Sequence, residues 1–313
     1  MRKLIFALTL SAAAFLFFNS CSEPDIPQGW AVIYGVEVYP FNNSLTYCVD
    51  DAEALAELLD TKGWNVTLRT DSDASLAQLQ TDIDSIETMM ADDDRFLFYF
   101  SGHGSYLDLG GEESDDDYDE LLILSGALTT VFNFDSGTAS AEDVLNVTVS
   151  DDSLAEILSV LPTINKTVII DACNSGGFIG DGYTFRNIAS DYVLGEAEAT
   201  FAPIEAMKLY AGYTVTDEDL NQSEFAILTA SGEDEDSYET SQLGHGVFTY
   251  FLLQTASEAD YNFDGYISLT EAWKYTSLSI DSFWNESQWI SEENQYMANV
   301  AAFPVDPVLF ESD

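Results

Sequence analysis

The chain has 313 residues, 46% of them hydrophobic, which is enough for one large domain or two small ones with a full core. Its 9 basic residues stand against 56 acidic ones for a formal charge of -47, so the surface repels nucleic acid and anionic lipid headgroups and attracts cations or a basic substrate. Binding of DNA or RNA is thereby excluded.

The first segment, MRKLIFALTLSAAAFLFFNSC, opens with Arg2 and Lys3, runs apolar to Phe18 and ends at Cys21, the layout of a secretory signal. A cysteine directly after such a run, followed by polar SEPD, resembles the lipobox of bacterial lipoproteins. That resemblance implies that residues 1–21 are a lipoprotein-type signal peptide ending at an acylated Cys21. The protein is then exported to the bacterial cell envelope and meets the membrane only through its N-terminal lipid. An ordinary cleaved signal or an uncleaved anchor is the alternative. No later segment is apolar for long enough to span a bilayer.

After this leader the pattern alternates. WAVIYGVEVY (30–39) reads as a strand rich in β-branched and aromatic residues, and DDAEALAELLDTKGW (50–64) as an amphipathic helix stopped at Gly63. WNVTLRT (64–70) is the next strand, DASLAQLQTDIDSIETMM (73–90) the next helix and RFLFYFS (95–101) the third strand. GGEESDDDYDE (110–120) is too polar to pack and reads as a solvated or metal-binding loop. DDSLAEILSVL (151–161) forms a helix leading into strand KTVIIDA (166–172), and EFAILTAS (224–231) gives a fifth strand before helix GVFTYFLLQTA (246–256). Strands alternating with helices imply an α/β fold with a mostly parallel sheet covered on both faces. No linker or repeat divides residues 29–313, which are read as one domain.

In such sheets chemistry gathers at the carboxyl ends of the strands. Here one strand ends at His103 in SGHG, and another delivers Asp171 and Cys173 into the turn of DACNSGG. A thiol needs a base to become a thiolate at neutral pH, and a histidine across the cleft supplies it. Backbone N–H groups of Gly104 and Cys173 are the candidates for holding the oxyanion of an acyl-transfer intermediate. His245, in a second GHG at the start of a helix, is a rival base ranked below His103. In an oxidising compartment Cys48 and Cys173 could form a disulfide, which would silence the thiol.

YFSGHGS followed by IIDACNSGG resembles the caspase-like cysteine peptidases, and most closely their metacaspase branch. The likeness extends to YGVEVYP, YCVDDAEALAELL, FAILTASGEDEDSYET and GHGVFTYFLL. It implies a three-layer α/β/α sandwich with His103 as base and Cys173 as nucleophile. Asn174 stands where metacaspases often have His. The same resemblance implies a pocket for a basic residue formed by Cys48, Asp51, Ser101 and Asp171, with Asp50 able to share the role. It also implies calcium activation, for which Asp151 and Asp152 are candidates and Asp181 a weaker one, and self-cleavage after Arg186 or Lys208. The expected partner is a protein or peptide substrate carrying basic residues.

Calcium has a second motif. DYNFDGYISLTE (260–271) fits the twelve-residue calcium loop, with Asp260, Asn262, Asp264, the Tyr266 carbonyl, Ser268 and bidentate Glu271 as ligands and Gly265 at the sharp turn. The plain alternative is a solvated acidic turn before a helix. Two function classes are therefore open, a calcium-dependent cysteine endopeptidase and a catalytically silent, calcium-stabilised surface protein.

Overall fold

The computed structural model describes residues 27–107, 119–173, 175, 178, 225–232, 235–287, 295, 299–300 and 306–313. Its elements begin with strand β1 (Gly29–Gly35), helix α1 (Cys48–Thr61), β2 (Asn65–Thr70), α2 (Leu76–Glu87) and β3 (Arg95–Ser101). Next come β4 (Gly104–Leu107), β5 (Asp119–Leu122), α3 (Leu128–Asp135), α4 (Ala141–Leu145), β6 (Val149–Ser150), α5 (Asp151–Ser159) and β7 (Asn165–Asp171). The later elements are β8 (Phe225–Thr229), β9 (Glu239–Thr240), β10 (His245–Gly246), α6 (Val247–Glu258), β11 (Tyr266–Ser268), α7 (Leu269–Phe283), β12 (Asn299–Val300) and β13 (Val308–Glu311).

One sheet organises the molecule. Its strand order is β12-β8-β7-β3-β1-β2, with the five strands from β8 to β2 parallel and β12 antiparallel at the edge. The apolar runs of the central strands are buried end to end because helices cover both faces. Since alternate side chains point to opposite faces, each run supplies two cores. Ile33, Leu97, Tyr99, Ile169 and Leu228 meet Leu55 and Leu59 of α1, Phe248 and Leu252 of α6 and Ile280 of α7. On the other face Val32, Phe96, Phe98, Phe100 and Ile170 meet Leu79 and Ile83 of α2 and Leu154 and Leu158 of α5. This is the expected three-layer α/β/α sandwich. Truncating one buried aromatic such as Phe98 would cost about 3–5 kcal/mol, a large part of a domain's net stability.

Local chemistry sets the element ends. Gly63 leaves α1 at φ +81, a left-handed turn that suits glycine, as its place after the apolar run foretells. Ser75 caps α2 by accepting the Gln78 N–H, and Ser150 caps α5 by accepting the Ser153 N–H. Arg69 of β2 and Asp82 of α2 form a bidentate pair at 2.9 and 2.6 Å, joined by the Tyr34 hydroxyl at 3.1 Å.

Two expectations change. The first strand stops at Gly35 rather than residue 39, because there the chain turns off the sheet. The N–H groups of Glu37 and Val38 are then taken by Asp71 Oδ1 at 2.9 Å each. The acidic loop ends earlier than its composition suggests, since Asp119 and Glu120 belong to β5 and pair with Leu107 and Tyr106 of β4. Strands β4, β5 and β6 form a separate antiparallel sheet beside the sheet end. Among the described residues no helix is long and apolar enough to cross a membrane.

Candidate active site

The site lies where β3 and β7 end together. Ser101 is paired in register with Asp171, and the Gly102 N–H donates to the Asp171 carbonyl at 3.2 Å. His103 and Cys173 therefore each stand two residues beyond a paired position, on neighbouring chains. The two backbones then nearly touch. A Cβ at Gly104 would lie 2.0 Å from the Cys173 carbonyl oxygen, so only glycine lets the strand ends approach this closely.

His103 is held from three sides. Its carbonyl accepts the Ile123 N–H at 2.9 Å, and its own N–H donates to the Tyr39 hydroxyl at 3.1 Å. That hydroxyl donates onward to the Ile123 carbonyl at 2.8 Å, so a buried tyrosine replaces one direct rung between the two chains. The tyrosine and imidazole ring centroids are 4.5 Å apart. Antiparallel alternation then sets Gly104 opposite Leu122 at a non-hydrogen-bonded position, which turns the Gly104 N–H away from β5.

The imidazole Nε2 lies 2.7 Å from the Asn43 carbonyl. A carbonyl only accepts, so Nε2 carries a hydrogen and Nδ1 is the nitrogen with a lone pair. Asn43 follows Phe41 and Asn42, both non-glycine residues at φ near +60, so the turn that presents this carbonyl is itself strained. The Cys173 thiol is 3.8 Å from the Ser237 carbonyl, a sulfur hydrogen bond. Burial pushes that thiol up to about 12, and the charges of Asp236 and Asp171 add to the effect. At rest the sulfur is protonated, and Cys48 and Cys173 are both free thiols.

Beneath Cys173 sits a buried acidic cluster. Asp51 of α1 accepts His245 Nδ1 at 2.7 Å and the Gly246 N–H on both oxygens at 3.2 and 3.1 Å, with the Ser101 hydroxyl 3.5 Å away. Asp171 accepts the hydroxyls of Ser237 and Thr249, each at 2.6 Å. Thr249 is also 2.6 Å from the buried Tyr99 hydroxyl. Burial, and after it the charge of Asp51, lift Asp171 to about 7. Burial also raises Asp51, against the hydrogen bonds from His245 and Gly246. His245 is raised in turn, chiefly by its bond to Asp51. Burial pushes the thiol of Cys48 up as well, and that thiol is bonded to Ser101. The four residues expected to form a pocket for a basic side chain thus come together, with Asp50 one position before Asp51. His245, the rival base, is committed to Asp51.

The calcium residues are arranged differently. Loop 260–271 makes its sharp turn with Gly265 at φ +86, and Asp260 accepts the N–H groups of Asp264 and Gly265 at 3.2 and 3.0 Å. Glu271 takes four donors, the N–H groups of Tyr261, Asn262 and Ser268 and the Ser268 hydroxyl, at 3.1–3.3 Å. Four donors fill the lone-pair sites of a carboxylate, so Glu271 must give some of them up to ligate a cation. Asp260, Asn262, Asp264, the Tyr266 carbonyl and Ser268 fit a hard oxygen-seeking ion in type, but Glu271 is turned inward. Asp151 and Asp152 open α5, where negative charge suits the helix dipole. Among the described residues no group of three or more His, Cys, Asp or Glu side chains is assembled to hold a metal. Cys21, Asn174, Asp181, Arg186 and Lys208 lie outside the described residues.

Sequence comparison adds the family. A caspase domain model matches residues 28–274, well over half of the chain. The chain belongs to the caspase-domain family. That family consists of cysteine peptidases. Among solved structures, this caspase-domain protein is similar to protein GSU0716 from Geobacter sulfurreducens, with 18% identity and a TM-score of 0.56 over 91% of this chain and 97% of that one. Caspase-1 from Spodoptera frugiperda is 14% identical with a TM-score of 0.48, over 92% and 93% of the two chains. The first of these likenesses concerns the fold alone. Comparison with curated proteins finds no match.

Sequence reasoning missed Tyr39, the Asn43 carbonyl, Ser237 and Thr249. A backbone carbonyl leaves no trace in the sequence. The DSYET and GHGVFT segments, already part of the family likeness, carry Ser237 and Thr249 and were the available signal.

Proposed function

We propose that the protein is an exported endopeptidase of metacaspase type that cleaves after Arg or Lys with His103 and Cys173. The observation that carries this reading is the in-register meeting of the β3 and β7 ends above the buried Asp51 and Asp171. His103 takes the thiol proton on Nδ1 while Asn43 holds Nε2–H, and the sulfur attacks the scissile carbonyl carbon. The N–H groups of Gly104 and Cys173 steady the tetrahedral oxyanion. Collapse expels the amine, which takes the proton from Nδ1, and water then hydrolyses the thioester by the same base. Because the resting thiol is protonated, deprotonation belongs to the substrate complex rather than to the free enzyme. The acidic cluster supplies charge-assisted hydrogen bonds to a guanidinium or ammonium and rejects an acidic side chain.

Asp260, Asn262, Asp264, the Tyr266 carbonyl, Ser268 and, once freed of its donors, Glu271 would hold a calcium ion in loop 260–271, which would supply structural charge there; Asp151 and Asp152 are the candidates for an activating role. Maturation cuts after Arg186 or Lys208, and Cys21 carries the lipid.

The test uses the full chain with fluorogenic Arg, Lys and Asp peptides, with and without calcium, beside Cys173→Ala and His103→Ala. Thiol-dependent turnover of the basic peptides alone, lost in both variants, is the expected result. Mass spectrometry should find fragments ending at Arg186 or Lys208 that Cys173→Ala lacks. Equal traces for wild type and Cys173→Ala would favour the silent surface protein.

A further inference from the structure

Resting on the peptidase reading above, we propose that His245 is a specificity-determining residue of the acidic pocket, an internal cation that competes with the substrate's basic side chain for Asp51. Its place is set by covalent neighbours and pairing. His245 pairs with Thr240 in the β9–β10 hairpin, and the next residue, Gly246, gives its N–H to both Asp51 oxygens at 3.2 and 3.1 Å. The imidazole Nδ1 then lies 2.7 Å from Asp51 Oδ1. The His245 side chain is 24% exposed and that of Asp51 1%, so solvent reaches the ring while the carboxylate is covered.

With Nδ1–H donated to Asp51, Nε2 is the atom that gains or loses a proton. The charged groups around the ring are acidic. Asp51 and Asp50 of α1 act on the ring itself, Glu239 of β9 acts on Asp51, and Asp171 of β7 lies across Gly246. Tyr250 of α6 packs 6.2 Å from the ring, and the Cys48 thiol lies on the same helix as Asp51. The Asp51 and Asp50 carboxylates favour the imidazolium. A neutral His245 leaves Asp51 its full negative charge, whereas a protonated one cancels that charge and repels an incoming guanidinium. Asp171 does not replace Asp51, because burial and the neighbouring Asp51 charge favour its protonated form, and it already accepts the Ser237 and Thr249 hydroxyls.

It follows that a basic side chain and a protonated His245 exclude one another. Binding of Arg or Lys expels the His245 proton, and selection for charge sharpens as pH rises. A merely bracing histidine would show neither effect, since any N–H donor could brace Asp51.

The experiment compares two peptides that differ only in Arg or citrulline, its uncharged isostere, at the residue before the cut. The ratio of their kcat/KM values is followed from about pH 5.5 to 8.5 in wild type and His245→Gln, which retains a donor for Asp51. In wild type the ratio should climb by about tenfold, mainly through KM, the order expected of one unit charge beside another in a half-screened site. The Gln variant should begin near the high ratio and climb by about threefold or less, the remainder being the titration of Asp171. Identical pH dependence in the two proteins would overturn the proposal. Should His245→Gln not fold, wild type answers by NMR, because the chain has 2 histidines and His103→Ala assigns them. Saturating agmatine should lower the pKa of His245 by about 1, the counterpart of that tenfold effect, and an unmoved pKa would sink the idea. Failure of the peptidase reading looks different, as turnover that survives Cys173→Ala or no turnover of either peptide, while the agmatine measurement needs no turnover at all.

Discussion

Asp171→Asn should stabilise the protein at alkaline pH while impairing it as an enzyme. Asp171 ordinarily titrates near 3.8 and in the folded chain near 7, so between these values the native state keeps a proton that the unfolded state has lost. Stability must fall as pH rises wherever the native state binds more protons. Each pKa unit is worth about 1.4 kcal/mol, so the full penalty at pH 8 is up to about 4 kcal/mol. His245 acts with the same sign, because its raised pKa contributes stability below its ordinary value of 6.5 that is lost as pH climbs through the raised one. Asparagine mimics the protonated acid, and Thr249 can turn to accept from its amide while donating to Tyr99. After about 1 kcal/mol for imperfect hydrogen bonding, a gain of about 2–3 kcal/mol at pH 8 and almost none at pH 5 is expected. Urea unfolding at both pH values, with unchanged m, measures it directly. Parallel pH curves for wild type and variant, or a variant weaker at pH 8, would refute the reasoning.

Tyr39→Phe removes the hydroxyl that bridges the His103 N–H and the Ile123 carbonyl, so stability should fall by about 2–3 kcal/mol and kcat should drop more than KM rises. A thermal melt and steady-state kinetics check both, and unchanged kcat would show that the bridge does not position the imidazole. Gly246→Ala places a Cβ 2.7 Å from Asp171 Oδ2 and 2.9 Å from Asp51 Oδ2, and should cost about 1–3 kcal/mol together with preference for basic peptides. A wild-type melting temperature would contradict that geometry. Asp264→Ala should lower the melting temperature in calcium and leave the chelated protein nearly unchanged. Wild type melting identically in calcium and in chelator would remove the calcium loop from the account.

The parts of the structure visible in the sequence were those written in side chains with strong local preferences. RFLFYFS could only be a strand buried on both faces, and the observed β3 covers those seven residues. His103 and Cys173 were visible because both residue types are scarce and each follows such a strand. The small sheet β4-β5-β6 was hidden, since Glu120 and Asp119 belong by composition to an acidic run and only pairing with β4 draws them in. The bracing of His103 was hidden for another reason. Its partners act through the Asn43 carbonyl, which any residue has, and through one hydroxyl among 16 tyrosines.

The formal charge of -47 and the pair Asp51 and Asp171 answer different parts of the recognition problem. Surface carboxylates act over about a Debye length, near 8 Å in physiological salt, and draw in any cation without discriminating position. Asp51 and Asp171 are almost wholly buried, where screening is weak and every hydrogen bond is fixed in place. That burial is destabilising, as the raised Asp171 shows, and a core built for stability alone would hold an uncharged residue there. What keeps the cluster tolerable is its set of partners. Gly246, having no side chain, lets a backbone N–H reach Asp51, two hydroxyls serve Asp171, and His245 lends a removable positive charge. On the proposed reading, selectivity for a basic residue comes from exchanging that internal cation for an external one, against a background field that treats all cations alike.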